Sequence, residues 1–63
     1  MYTITVTSEE YNAVIAGLRL LQNALENSTV RPDDGDIGDI LTNTGSEQPL
    51  TIAQINELVE RIA

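Results

Sequence analysis

The sequence predicts a single small α+β domain over residues 1–63, and most of it is expected to be helical. Three observations predict this class: two apolar stripes at helical spacing, apolar residues that alternate with threonine near the start, and a helix-cap motif before each stripe. The expected elements, in order, are a short N-terminal strand, a long amphipathic helix, an acidic loop with a short helix, a short extended edge segment and a C-terminal helix.

The strand is predicted over residues 2–6, where Tyr2, Ile4 and Val6 alternate with two β-branched threonines. Residues 47–50 are the extended segment, and Pro49 confines that segment to an edge because it has no N–H to donate. Each segment leads directly into a helix. We therefore expect the two segments to lie side by side as a small two-stranded element.

The first helix is predicted over residues 8–27. Thr7 and Glu10 have the spacing of a capping box, in which each side chain binds the backbone N–H of the other residue. Gly17 costs about 1 kcal/mol relative to alanine inside a helix, so it suggests close approach of another helix or of a partner. The apolar stripe consists of Tyr11, Val14, Ile15, Leu18, Leu21 and Leu25. It is expected to form core, with a homodimer seam through Leu20, Leu21 and Leu25 as the alternative.

The chain is expected to break at residues 29–35. Pro32 disfavours helix at the residue before it, and the Asp-Asp-Gly sequence that follows is typical of a turn. This break separates the two long helices.

The segment after the turn has two interpretations. The favoured one is a short helix over residues 37–42, with Asp36 as N-cap, Asp39 at N3 and a stop at residues 43–45. The alternative is a strand through residues 39–42.

The last helix is predicted to begin after Thr51. Thr51 and Gln54 repeat the capping-box spacing of the first helix. The apolar face of this helix consists of Ile52, Ile55, Leu58, Val59 and Ile62.

The charge is strongly one-sided. Ten acidic residues face three arginines, which gives a net charge of −7. Such a surface repels nucleic acids and anionic membranes and attracts basic protein surfaces. The longest apolar run is far below the ~20 residues of a membrane span, and the first basic residue is Arg19, so neither a span nor a signal peptide is expected.

Catalysis is not expected. The chain has no histidine, cysteine or lysine, which removes the usual general base, the usual transition-metal ligands and the most reactive nucleophiles. It also has no phosphate-binding or nucleotide-binding motif. We therefore expect a protein that is not an enzyme and that binds no cofactor.

Four carboxylates lie within residues 33–39. They fit a solvated turn, an acidic contact surface or a calcium site. An EF-hand loop that starts at Asp34 fails, because Asp39 takes the position that requires glycine and Gly45 takes that of the bidentate glutamate. We therefore assign no metal ligand to the chain.

The carboxylates predict a surface that imitates nucleic acid. A small body with exposed carboxylates can occupy the phosphate site of a DNA-binding protein through bonds from arginine. Any single carboxylate on a helix can instead belong to an ordinary solvated face or interact with the helix dipole. Arg61 lies four residues after Glu57 and is placed to neutralise part of its charge. The predicted partner-binding surface consists of Asp33, Asp34, Asp36, Asp39, Glu26, Glu47, Glu57 and Glu60.

Two blocks near the ends of the chain resemble small proteins of phages and mobile elements. The opening block is Thr-x-Glu-Glu-x-x-x-Val-x-x-x-Leu-Arg, and the closing block is Gly-x-x-x-Pro-Leu-Thr-x-x-x-Ile-x-x-Leu-x-Glu-Arg-Ile. Size and acidity are similar to those of anti-CRISPR proteins. The fixed positions of the opening block are Thr7, Glu9, Glu10, Val14, Leu18 and Arg19. Those of the closing block are Gly45, Pro49, Leu50, Thr51, Ile55, Leu58, Glu60, Arg61 and Ile62.

The resemblance implies a stoichiometric inhibitor that blocks target-DNA binding by a CRISPR–Cas surveillance complex. The partner would be a basic subunit of a type I complex in the bacterial cytoplasm, and the inhibitor a monomer or weak homodimer that binds no nucleic acid itself. The alternative is a structural or adaptor module of a phage or mobile element that acts through helix packing. A calcium-binding acidic protein is the third interpretation.

Overall fold

Three α-helices form the fold of the residues that the structure describes. The computed structural model describes residues 2–63, with α1 at Ser8–Glu26, α2 at Gly35–Thr42 and α3 at Ile52–Ile62. Within this range α1 packs against α3, whereas no Cα atom of α2 lies within 8 Å of a Cα atom of either long helix. The protein is therefore all-helical over the described residues, and the prediction of an α+β domain is wrong.

The predicted strand at residues 2–6 is absent, and so is the extended edge at residues 47–50. Neither segment belongs to a sheet, and the side chains of Tyr2 and Ile4 are 97% and 78% exposed. The alternation of apolar residues and threonine gives residues 2–6 a strand-forming sequence, but a strand needs a partner for its backbone groups. Within the described chain the two segments do not pair, so both stay irregular.

The two capping boxes are confirmed. Thr7 Oγ1 accepts from the Glu10 backbone N–H at 3.2 Å, and Glu10 Oε1 accepts from the Thr7 N–H at 2.8 Å. Thr51 and Gln54 make the same two bonds at 3.1 and 2.9 Å. Both long helices thus begin where the sequence predicts, because each box satisfies backbone donors within one turn.

The first helix ends one residue earlier than predicted. Asn27 is its C-cap, and Ser28 follows with a left-handed φ of 58°. The backbone N–H and the hydroxyl of Thr29 both donate to the Ala24 carbonyl, at 2.9 and 3.2 Å. These bonds satisfy a carbonyl that the end of the helix leaves without an intrahelical partner.

The segment after the turn is a helix and not a strand. It starts earlier than predicted, and the assignment of Asp36 as N-cap with Asp39 at N3 is wrong. Asp34 is the N-cap, since its backbone is extended and its carboxylate accepts from the Gly35 N–H at 2.9 Å. Asn43 ends the helix in a left-handed conformation with φ 50°, as the predicted stop requires.

The core lies between α1 and α3. Ile55 and Val59 of α3 are the buried hydrophobic side chains among residues 2–63, at 1% and 2% exposure, whereas α1 has no fully buried residue. The hydroxyl of Tyr11, near the start of α1, donates to the carbonyl of Ile62 at the end of α3 at 2.5 Å. The two helices therefore run antiparallel, with the half-buried stripe of α1 covering the buried face of α3.

A polar bridge crosses the same interface further along the helices. Arg19 Nη1 donates to Gln22 Oε1 at 2.8 Å on its own helix and to Asn56 Oδ1 at 2.9 Å on α3. Asn56 in turn donates to Glu60 Oε1 at 3.2 Å. The bridge fixes the relative position of α1 and α3 beside the buried apolar contact.

Candidate acidic binding surface

The acidic turn is residues 33–39. It comprises the end of the loop before α2 and the first residues of α2 itself. The four aspartates of the turn, Asp33, Asp34, Asp36 and Asp39, are all exposed. Asp34 caps α2, and Asp36 lies in its first turn. Negative side chains at these two positions face the positive end of the helix dipole, so the helix stabilises the charges that the turn presents.

A close backbone contact fixes the shape of the acidic turn. Gly38 is buried, and a Cβ atom built on it would lie 2.7 Å from the carbonyl carbon of Asp33 and 3.2 Å from the Arg31 carbonyl oxygen. Only a residue without a side chain allows the loop to approach α2 so closely. The loop is therefore folded back on the helix, which holds the four carboxylates in one short region.

The far end of α2 is tied by a buried hydroxyl. Thr42 is 5% exposed, and its Oγ1 donates to the Gly38 carbonyl at 2.7 Å. The same oxygen accepts from the Gly45 N–H at 3.0 Å. Thr42 therefore joins the helix to the following loop.

One arginine lies beside the acidic turn. Arg31, Asp34 and Asp36 border the same shallow depression of ≈ 300 Å³. The guanidinium is exposed, so water screens its attraction to the two carboxylates. The turn still presents three negative charges in excess, because it has four aspartates beside this single arginine.

The other predicted surface residues are exposed but lie on different elements. Glu26 ends α1, Glu47 lies in the loop after α2, and Glu57 and Glu60 are on α3. Glu57 borders a second depression of ≈ 240 Å³ together with Arg61, the predicted i,i+4 partner. The structure therefore gathers four of the eight predicted residues into one short segment and distributes the other four.

Glu10 has a structural function that sets it apart from the predicted surface. The Thr7 backbone N–H and hydroxyl lower the pKa of the Glu10 carboxyl below its usual value of 4.5. Its negative charge is therefore engaged at the start of α1.

Two exposed isoleucines on α2 were not assigned to the surface by the sequence. Ile37 is 41% exposed and Ile40 is 76% exposed, and both lie beside or between aspartates of the turn. The sequence predicts a helix here but does not indicate that these two side chains are exposed. Apolar side chains surrounded by polar ones are typical of the centre of a protein–protein interface.

The described residues contain no group of three or more side chains that could hold a metal ion. The four aspartates of the acidic turn therefore do not form such a group. Among the described helices, none is both long enough and apolar enough to cross a membrane.

Comparison with known proteins adds no family to this description: no family model, no curated protein and no solved structure matches the chain. The interpretation of the surface therefore depends on its own geometry and charge.

Proposed function

We propose that the protein is a non-enzymatic inhibitor whose acidic turn occupies the nucleic-acid site of a basic partner. The observation that supports this most directly is the position of the four aspartates, which are all exposed on a turn fixed by the Asp34 cap and the buried Gly38. The resemblance to anti-CRISPR proteins makes a subunit of a type I CRISPR–Cas surveillance complex, in the bacterial cytoplasm, the proposed target.

The density of charge in the acidic turn supports imitation of nucleic acid. Four of its seven residues are aspartates, and all four are exposed. Proteins that bind DNA set Lys and Arg against closely spaced phosphates, about 3.4 Å apart along one strand of B-DNA. A basic surface of that kind would attract the acidic turn for the same electrostatic reason.

The proposed mechanism is steric and electrostatic exclusion. Arginine side chains of the partner would donate paired hydrogen bonds to the carboxylates of the acidic turn, as they do to phosphates. Ile37 and Ile40 would supply apolar contact among those charges. While the site is occupied in this way, target DNA cannot bind, and no covalent chemistry is needed.

A structural or adaptor module that acts through helix packing is the second candidate. The observation on which it depends is Leu20, which at 70% exposure is the most exposed large apolar side chain of α1 and is available for contact with a partner. Such a module would bind its partner through apolar contact and would tolerate salt.

The test is a pull-down from bacterial lysate followed by DNA competition on the purified partner. We expect the protein to displace target DNA from the partner, and we expect its own binding to weaken as salt rises from 50 to 200 mM, about the range in which phosphate contacts weaken. A partner that binds the protein and DNA together, without mutual weakening, would contradict the inhibitor proposal. Salt-tolerant binding that is lost in Leu20→Asp would support the adaptor instead.

A further inference from the structure

Residues 2–6, the ribbon segment, have a strand-forming sequence and no strand partner within the described chain. Tyr2, Ile4 and Val6 are 97%, 78% and 41% exposed. Unpaired segments with alternating apolar side chains are templates for pairing with another chain. Within the described residues, the segment therefore has no partner for its apolar face or for its backbone groups.

The sequence of the ribbon segment is complementary to itself in antiparallel register. When two copies are aligned about Ile4, that residue faces its own copy, Tyr2 faces Val6, and Thr3 faces Thr5. Aromatic side chains opposite β-branched ones and threonine opposite threonine are among the favourable cross-strand pairs. All apolar side chains then lie on one face of the ribbon and all threonines on the other.

Charge favours a second copy at this segment. The chain has a net charge of −7, so two copies repel each other over most of their surfaces. Residues 2–7 contain no charged side chain, and here two copies can approach with the least repulsion. A basic partner would instead be drawn toward the acidic turn.

The helix pair offers an apolar surface close to the ribbon segment. Val6 directly precedes the Thr7 cap of α1, and Tyr11 in the following turn contacts the end of α3 through its bond to Ile62. Val14 and Ile62 are 38% and 39% exposed at this end. Since a two-stranded ribbon is marginal by itself, this surface is where its apolar face can be buried.

We propose that the protein forms a two-fold symmetric homodimer in which the ribbon segments of two copies pair as an antiparallel two-stranded ribbon. Such a contact is self-complementary, as a two-fold interface requires. The ribbon would bury apolar surface that a single copy leaves exposed. A single copy has a small core, since Ile55 and Val59 are the buried hydrophobic side chains of the described residues.

Sedimentation equilibrium of the full chain tests the dimer. We expect a concentration-dependent dimer whose dissociation constant rises at least about tenfold in Ile4→Asp, because two carboxylates would then face each other across the ribbon. The matched control is Leu20→Asp, which adds the same charge at another exposed apolar position and should leave the dimer intact. Circular dichroism should show the same helix content for both variants.

Three results would overturn the proposal. A wild-type chain that stays monomeric up to about 1 mM would do so, as would a dimer that Ile4→Asp leaves unchanged. A dimer weakened equally by Ile4→Asp and Leu20→Asp would show that added charge, and not loss of the ribbon, weakens the contact.

Disulfide trapping tests the register, since the chain has no native cysteine. Directly opposed residues in an antiparallel pair have Cα atoms about 4.5–5.5 Å apart, which a disulfide spans. We expect Ile4→Cys to cross-link with itself, and a mixture of Thr3→Cys and Thr5→Cys to cross-link faster than either variant alone. Cross-linking of Ile4→Cys no faster than that of Leu20→Cys would contradict the register.

Discussion

The α1–α3 pair and the central segment, residues 27–50, are stabilised by different interactions. The pair buries two apolar side chains, Ile55 and Val59. The central segment instead buries Gly38 and Thr42, so a close backbone approach and a hydroxyl with two hydrogen bonds hold it together.

The difference separates stability from the presentation of charge. Because no Cα atom of α2 lies within 8 Å of one in either long helix and the four aspartates are exposed, substitutions of these aspartates should leave the apolar contact between α1 and α3 undisturbed. Stability should therefore depend on the helix pair, and partner binding should depend on the acidic turn.

The largest effect on stability is expected from Ile55→Ala. Ile55 is the most deeply buried side chain described, at 1% exposure. Its truncation should lower the free energy of unfolding by about 2–5 kcal/mol, measured by urea denaturation. The matched control, Ile40→Ala on α2, should change that free energy by no more than about 0.5 kcal/mol. Equal losses in the two variants would show that α2 shares the core.

The next effect in size is expected from Gly38→Ala. The new methyl group would lie 2.7 Å from the backbone carbon of Asp33, so the loop or the helix must shift. We expect a loss of about 1–3 kcal/mol in unfolding free energy.

Gly17→Ala is the control for Gly38→Ala. Nothing lies within 4 Å of a Cβ at Gly17, so the same substitution should stabilise α1 by about 0.5–1 kcal/mol. This open space also shows that no close approach within the described chain explains Gly17. A stable Gly38→Ala variant would contradict the tight contact between the acidic turn and α2.

The smallest effect concerns pH and compares the two capping boxes. Folding lowers the pKa of Glu10. The ionised carboxylate therefore stabilises the fold at any pH above the pKa that Glu10 has in the unfolded chain. This contribution is lost as the pH falls through the pKa of the folded state. Glu10→Gln should therefore make stability less sensitive to acid, measured as melting temperature below pH 5.

The reciprocal substitution is Gln54→Glu in the second capping box. It should add acid sensitivity that the wild-type α3 cap lacks, because the amide of Gln54 does not titrate. An unchanged acid dependence in both variants would show that the capping bonds do not couple to the pH dependence of unfolding.

The sequence predicted best those features that depend on neighbouring residues. Both capping boxes and the left-handed stop at Asn43 involve residues within one turn of each other, and the structure confirms them. The start of α2 was misplaced because Asp34 and Asp36 compete to cap it. Gly35, with φ 75°, allows the earlier start after Asp34.

Long-range features could not be predicted from local pattern. Residues 2–6 have the composition of a strand, but pairing depends on a partner that residues 47–50 do not supply. For the candidate surface, the aspartates of the acidic turn were visible as a cluster. The exposure of Ile40 could not be predicted, because helical spacing alone does not reveal whether another element covers the helix.

The central claim is that stability depends on the helix pair and partner binding depends on the acidic turn. Its most direct test compares two triple variants. Each removes three acidic charges, so both change the net charge from −7 to −4. Asparagine is used in the acidic turn because it caps a helix as well as aspartate does. The turn variant contains Asp33→Asn, Asp34→Asn and Asp36→Asn. The control contains Glu26→Gln, Glu47→Gln and Glu57→Gln.

The measurement is the affinity of each triple variant for the purified partner, with the melting temperature recorded in parallel. We expect the turn variant to lose at least about tenfold in affinity and the control to lose much less, with both melting close to the wild type. Equal weakening of the two variants would show that total charge, and not the acidic turn, determines binding. A large fall in the melting temperature of the turn variant would contradict the separation itself.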